Sequence, residues 1–220
     1  MTTVSEKIDA KQVKALREAT GAPMGDCLKA LQESKGDQEA AVIVLRKRGM
    51  ASAQKKAARV TNEGAVGSYI HAGGKIAVLV ELNCESDFVA KTDDFQELLK
   101  DVAMHIAASD PRYVKPEDVT VEDLEREKDV YRAQAAATGK PAPVIEKIVD
   151  GKMAKFYEEV CLLEQPFIKE QSVTITQLIA TVIGKLGENI SVRRFARFKV
   201  GEATETVAVA KPAAVVEAAE

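Results

Sequence analysis

A three-residue connection between two apolar runs limits what this chain can fold into more than any other feature of it. Ala65 to His71 and Lys75 to Asn83 are rich in Val, Ile and Leu, and Ala72-Gly73-Gly74 between them predicts a β-hairpin. In the second run Ile76, Val78, Val80 and Leu82 alternate on one face, while Ala77 and Leu79 keep the other face apolar. That strand is expected to be central or covered on both sides. Helices must cover it, so the fold class expected is α+β, with a small antiparallel or mixed sheet packed by helices.

The first fifty residues predict three short helices. Asp9 with Gln12 fits a capping box, Ile8 and Val13 fall at staple positions, and Val13 with Leu16 makes an apolar stripe that stops at Gly21. Pro23 sits where a second helix begins, with Cys27, Leu28 and Leu31 apolar and Gly36 as its stop. Asp37 caps a third, whose Ala41, Val44 and Leu45 share a face and whose Arg46-Lys47-Arg48 fills the last turn before Gly49. Residues 1–50 therefore form one module. Between Ala40 and Asn62 stand Arg46, Lys47, Arg48, Lys55, Lys56 and Arg59 with no acidic residue, so 51–63 is expected to be a basic helical linker, solvated or in contact with RNA or an acidic partner.

The rest, 64–200, is expected to be the α+β core. Phe95, Leu98, Leu99, Val102 and Ile106 fall at helical spacing in a helix ended by Asp110-Pro111. Residues of about 117–160 predict two charged helices around Thr138-Gly139-Lys140-Pro141, a hairpin with few apolar anchors that projects from the core. Gln177 to Lys185 predicts another helix, and Asn189 to Val200 a last strand that sets Ile190, Val192 and Arg194 against Ser191, Arg193 and Phe195. Residues 201–220 read as a low-complexity tail, disordered or frayed.

Several kinds of chemistry are poorly represented. With 31 basic and 34 acidic residues the net charge is −3, which gives the whole chain no electrostatic case for sequence-independent nucleic-acid binding. No Trp is present, and four Tyr with six Phe offer few stacking platforms. Cys27, Cys84 and Cys161 are widely spaced, which argues against a disulfide scaffold or zinc site and for buried thiols. No phosphate-binding glycine loop stands between a strand and a helix, so no nucleotide cofactor is expected, nor any metal. His71 at a strand end and His105 on a helix flank read as packing or surface residues, so an enzyme is not expected. No apolar run is long enough for a membrane span, the start lacks a signal-peptide core, and a cytoplasmic location is the default.

Two stretches together resemble the translation elongation factor Ts family: Val13-Lys14-Ala15-Leu16-Arg17-Glu18-Ala19-Thr20-Gly21-Ala22-Pro23-Met24-Gly25-Asp26-Cys27 and Asn83-Cys84-Glu85-Ser86-Asp87-Phe88-Val89-Ala90-Lys91. The likeness continues through His105-Ile106-Ala107-Ala108-Ser109, Glu164-Gln165-Pro166-Phe167 and Gly187-Glu188-Asn189-Ile190-Ser191-Val192-Arg193-Arg194, covering residues 5 to about 200. Ser86 replaces the usual Thr and keeps the hydroxyl. Gly25 stands where many relatives carry a second Met, which removes apolar area from the amino-terminal contact.

The resemblance implies a guanine-nucleotide exchange factor that binds GDP-bound elongation factor Tu, displaces magnesium and lets GDP leave. It implies that Ser86, Asp87, Phe88 and Val89 dislodge the magnesium, and that Arg17, Met24 and His71 bind the partner. It also implies the compact form of the family, a homodimer holding two partner molecules. Pattern alone favours an inward Phe88 among Glu85, Asp87, Lys91, Asp93 and Asp94, and the resemblance reverses this by making it a wedge. Two other readings stand beside it: an adaptor, because the three-helix module also resembles ubiquitin-associated domains in size and helix pattern, and an RNA-binding accessory factor using the 46–59 segment with Arg193, Arg194, Arg197 and Lys199.

Overall fold

The structure, a computed structural model, describes residues 8–137 and 141–202. In chain order its helices are α1 (Ala10–Thr20), α2 (Met24–Glu33), α3 (Gln38–Lys56), α4 (Asp87–Ala90), α5 (Asp93–Ser109), α6 (Val121–Ala136), α7 (Ala142–Val160) and α8 (Ile175–Leu186). Its strands are β1 (Glu63–Ile70), β2 (Ile76–Cys84), β3 (Pro166–Phe167), β4 (Glu170–Thr174) and β5 (Ile190–Lys199). The class is α+β.

The amino-terminal helices start where capping chemistry starts them. The Asp9 carboxylate accepts from the Lys11 N–H at 3.3 Å, and the Gln12 side chain accepts from the Asp9 N–H at 3.0 Å. Val13, Leu16, Cys27, Ala30, Leu31 and Ala41 close a small core of their own, whereas Leu28, expected on that face, is exposed.

The third helix corrects the sequence reading. It does not stop at Gly49 but runs on to Lys56, so Arg46-Lys47-Arg48 lies mid-helix and the first part of the expected linker, 51–56, belongs to α3. A glycine inside a helix costs about 1 kcal/mol relative to alanine. Here the crossing of α3 over α8 demands it: a Cβ on Gly49 would stand 3.3 Å from the Ala180 carbonyl oxygen, and Gly184 faces it from α8.

The main sheet is antiparallel in the order β1-β2-β5, which puts β2 in the middle. Val78, Val80, Leu82 and Cys84 are buried with Phe95, Leu98, Leu99, Val102 and Ile106 of α5 and with Ile175, Ile179 and Ile183 of α8. Of the two expected arrangements for β2 the central one holds, while the opposite face of the sheet is left open: Leu79 is 49% exposed, and Val66, Ile70 and Phe198 beside it more so. The alternation read from β5 also breaks. A register shift opposite Glu81/Leu82 leaves Arg193 and Arg194 both exposed and turns Phe195 toward the core, because a bulge inserts one residue and switches every later side chain to the other face. The short ladder of β3 and β4 was not foreseen, β3 being too short to show a period.

Helices α6 and α7 pair along a separate cluster of Val149, Met153, Phe156 and Val160 with Leu124, Tyr131 and Ile145, so the hairpin stands off the main core as expected. Thr138–Lys140 of its turn, and the tail from Ala203, lie outside the described residues. No helix among the described residues is long and apolar enough to cross a membrane.

Candidate functional site

After Cys84 the chain leaves β2, passes Glu85 and Ser86, and makes the single helical turn α4. Val89 and Ala90 of that turn are buried in the main core. Successive residues on a helical turn point about 100° apart, so seating Val89 and Ala90 together puts Phe88, about 200° from Ala90, on the outer side. Phe88 is 78% exposed. The ring therefore forgoes the roughly 1.5–3 kcal/mol that burial of a Phe is worth, a gain still open to it on another surface. Asp87 ion-pairs with Lys91 at 2.6 Å, and the Lys91 ammonium stands 5.9 Å from the centre of the Phe88 ring. The hydrogen bond to Asp87 raises the Lys91 pKa above its ordinary value.

The turn is fastened from far away in sequence. The Ser86 N–H donates to Glu188 Oε2 at 2.9 Å and its hydroxyl to Glu188 Oε1 at 2.6 Å. In return the Asn189 N–H donates to Glu85 Oε1 at 2.6 Å, and Arg59 reaches the same carboxylate at 3.3 Å. The Asn189 amide hydrogen-bonds the Arg59 carbonyl at 2.9 Å, and the Cys84 thiol donates to the Ser86 carbonyl at 3.0 Å. The Asn189 N–H chiefly, and Arg59 after it, hold the Glu85 carboxyl below the usual range. Burial, followed by the charge of Glu188, pushes the Cys84 thiol up.

The remaining candidates lie elsewhere. Arg17, in the last turn of α1, and Met24, at the start of α2, are exposed on either side of the Gly21–Pro23 connection. Gly25 has open space where a side chain would stand. His71 is exposed in the hairpin turn, its Nδ1 3.2 Å from the Tyr69 hydroxyl. β2 connects the hairpin end to the α4 end, and its nine residues span about 26 Å, so His71 and Phe88 mark opposite ends of the sheet. His105 is fully buried, with Nε2 2.9 Å from Gln165 Oε1, and burial lowers its pKa, so it is a core residue. Among the described residues no group of three or more His, Cys, Asp or Glu could hold a metal ion. All three cysteines are free and buried, and burial pushes the Cys161 thiol to about 11.

Four of the basic residues offered for RNA have carboxylate partners within the chain. Arg46 pairs with Glu170 at 2.7 Å, Arg48 with Glu33 at 2.9 Å, Arg194 with Glu81 at 2.7 Å and Arg197 with Asp110 at 3.0 Å. The partners that hold Ser86, namely Glu188 with Glu85 and Asn189 beside it, had no role assigned from sequence. Glu188 lies 102 residues from Ser86, and its place after a helix-stopping Gly187, within one of the stretches that carry the resemblance, was the signal that could have marked it.

An exposed aromatic on a turn tied by remote partners is an arrangement suited to a binding protein, one that acts by contact with another macromolecule. The family described as Elongation factor TS matches residues 2–202. Curated relatives named Elongation factor Ts include those of Koribacter versatilis, 73% identical over 93% of this chain and 93% of the relative, and Solibacter usitatus, 60% identical over 90% and 93%. That of Geobacter sulfurreducens is 59% identical over 90% of this chain and 92% of its own length. The chain belongs to the elongation factor Ts family.

Proposed function

We propose that Ser86–Val89 is the element through which this chain, as a guanine-nucleotide exchange factor of the elongation factor Ts family, drives magnesium and then GDP from elongation factor Tu. The observation that carries the reading is the 78% exposure of Phe88 on a turn whose neighbours Val89 and Ala90 are locked in the core. A nucleotide held in the nanomolar range is bound by about 12 kcal/mol, so its release needs a competitor. The factor supplies one by binding the empty partner better than the filled one, and by reciprocity nucleotide weakens the factor's grip equally. It needs no covalent chemistry of its own.

Within the element the parts divide. Phe88 is the wedge that enters the partner near its magnesium site. Asp87 is engaged with Lys91, and because an exposed pair of this kind is screened by solvent, its carboxylate is readily released toward the partner. Val89 is the anchor against which the ring pushes. Met24, 51% exposed, and Arg17 give the helical module its hold on the partner, and His71 makes a second hold at the far end of the sheet.

Phe88→Ala should fold normally and lose roughly ten- to hundredfold in stimulated GDP release, the equivalent of the ring's burial energy. Release of a fluorescent GDP from elongation factor Tu measures this, and a rate equal to that of the parent would remove the assigned role.

The chain further acts as a homodimer. What supports this is the uncovered face of the sheet, where register sets Ile70 beside Ala77 and Ala77 beside Phe198, with Leu79 and Val66 continuing the patch. Contiguous exposed apolar faces mark association surfaces, and one face pairing with itself makes a closed two-fold dimer. Sedimentation equilibrium at micromolar concentration should give twice the chain mass, and a monomer there would overturn it.

A further inference from the structure

The turn that carries Phe88 has an unusual start. Ser86 occupies the cap position of α4, where a serine hydroxyl ordinarily accepts from a backbone N–H of the first turn. No such bond forms, and the hydroxyl instead donates to Glu188 at 2.6 Å while the Ser86 N–H donates to the other oxygen of the same carboxylate at 2.9 Å. Both donors of one residue are thus taken by one side chain, and bonds to an ionised acceptor are about twice as strong as neutral ones. A four-residue helix without a cap has little hold on its own direction.

Glu188 is itself fixed. Gly187 ends α8 with φ 79, a left-handed conformation open to glycine, and turns the chain so that residue 188 starts back toward β2. The next residue, Asn189, is buried and gives its N–H to Glu85. Two adjacent residues on each side, Glu85 with Ser86 and Glu188 with Asn189, therefore clasp one another across the sheet end.

We infer that Glu188 is a positioning residue of the exchange reaction: by holding both donors of Ser86 it sets the direction in which Phe88 stands before the partner arrives. The inference rests on the wedge reading of Phe88 given above. Setting the direction in advance matters because a misplacement of about 1 Å at a reacting centre can cost on the order of a hundredfold. Its effect passes through Ser86.

The test uses the whole chain with elongation factor Tu and fluorescent GDP, on Glu188→Ala, Glu188→Gln, Ser86→Ala and the Glu188→Ala/Ser86→Ala double variant, with Phe88→Ala in parallel. Glu188→Ala is expected to lower the release rate at saturating factor by about tenfold while the half-saturating concentration moves less than about threefold. The double variant should fall no further than Glu188→Ala alone, since the two residues form one contact. Glu188→Gln, which keeps an acceptor, should recover part of the rate. In the free protein, hydrogen exchange at the Ser86 amide should quicken in Glu188→Ala and slow again in Glu188→Gln, a readout independent of the partner. An unchanged saturating rate in Glu188→Ala beside a defective Phe88→Ala overturns the positioning role and leaves the wedge standing. An unaffected Phe88→Ala overturns the wedge, and the positioning role with it.

Discussion

The two ends of β2 are built on different terms. At the hairpin end the turn closes on itself: the Gly74 N–H meets the His71 carbonyl at 2.9 Å, the His71 N–H meets the Ile76 carbonyl at 2.9 Å, and both glycines carry positive φ with nothing near them. At the α4 end the fastenings of Glu85 and Ser86 are chiefly remote, from Glu188 and Asn189 to Ser86 and Glu85, and from Asn189 on to Arg59. A turn made of its own residues can be exposed and still keep its shape. A turn that must hold a large apolar ring in water needs partners from other elements, since the ring alone would gain by folding inward.

Inserting one glycine sharpens the contrast most. Placed between Glu85 and Ser86, it should shift the Ser86 donors from Glu188 and reduce stimulated GDP release by about a hundredfold, measured with the same fluorescent nucleotide. Acid should have a smaller effect at this end. Because the folded-state pKa of the Glu85 carboxyl is depressed, its contribution is fully present above the ordinary value of about 4.3 and is lost as pH falls through the folded value. A thermal melt series should therefore show Glu85→Gln closing on the parent below about pH 4.3 and trailing it by a constant gap at pH 6 to 8. The smallest effect belongs to the hairpin. A glycine inserted between Gly73 and Gly74 should cost about 0.6 kcal/mol or less in a urea melt, because loop closure grows slowly with length, and should weaken binding through His71 while lowering GDP release at saturating factor far less than the insertion before Ser86.

Much of the fold could be read directly. The capping signal at Asp9 and the α5 stripe of Phe95, Leu98, Leu99, Val102 and Ile106 are local patterns with local causes, and all appear as expected. Phe88 was harder. Its charged surroundings suggested an inward ring, and only the family resemblance argued otherwise, because whether a side chain at a helix start is buried depends on which neighbour the core accepts. Here the core accepts Val89 and Ala90.

The errors share a cause as well. Gly49 read as a stop became a crossing point, and the even alternation of β5 gave way to a bulge, since both depend on what packs alongside: the Ala180 carbonyl in one case and the Glu81/Leu82 register in the other. Sequence by itself determined where the capped helices start, where β2 turns back and which stripe of α5 faces the core, because those follow from neighbours within a few positions. Tertiary structure alone decided that β2 keeps one face bare, that α3 passes through its glycine, and that a carboxylate 102 residues away holds the serine beside the exposed ring. Those outcomes depend on which elements come to lie side by side in space, and no local spacing encodes that.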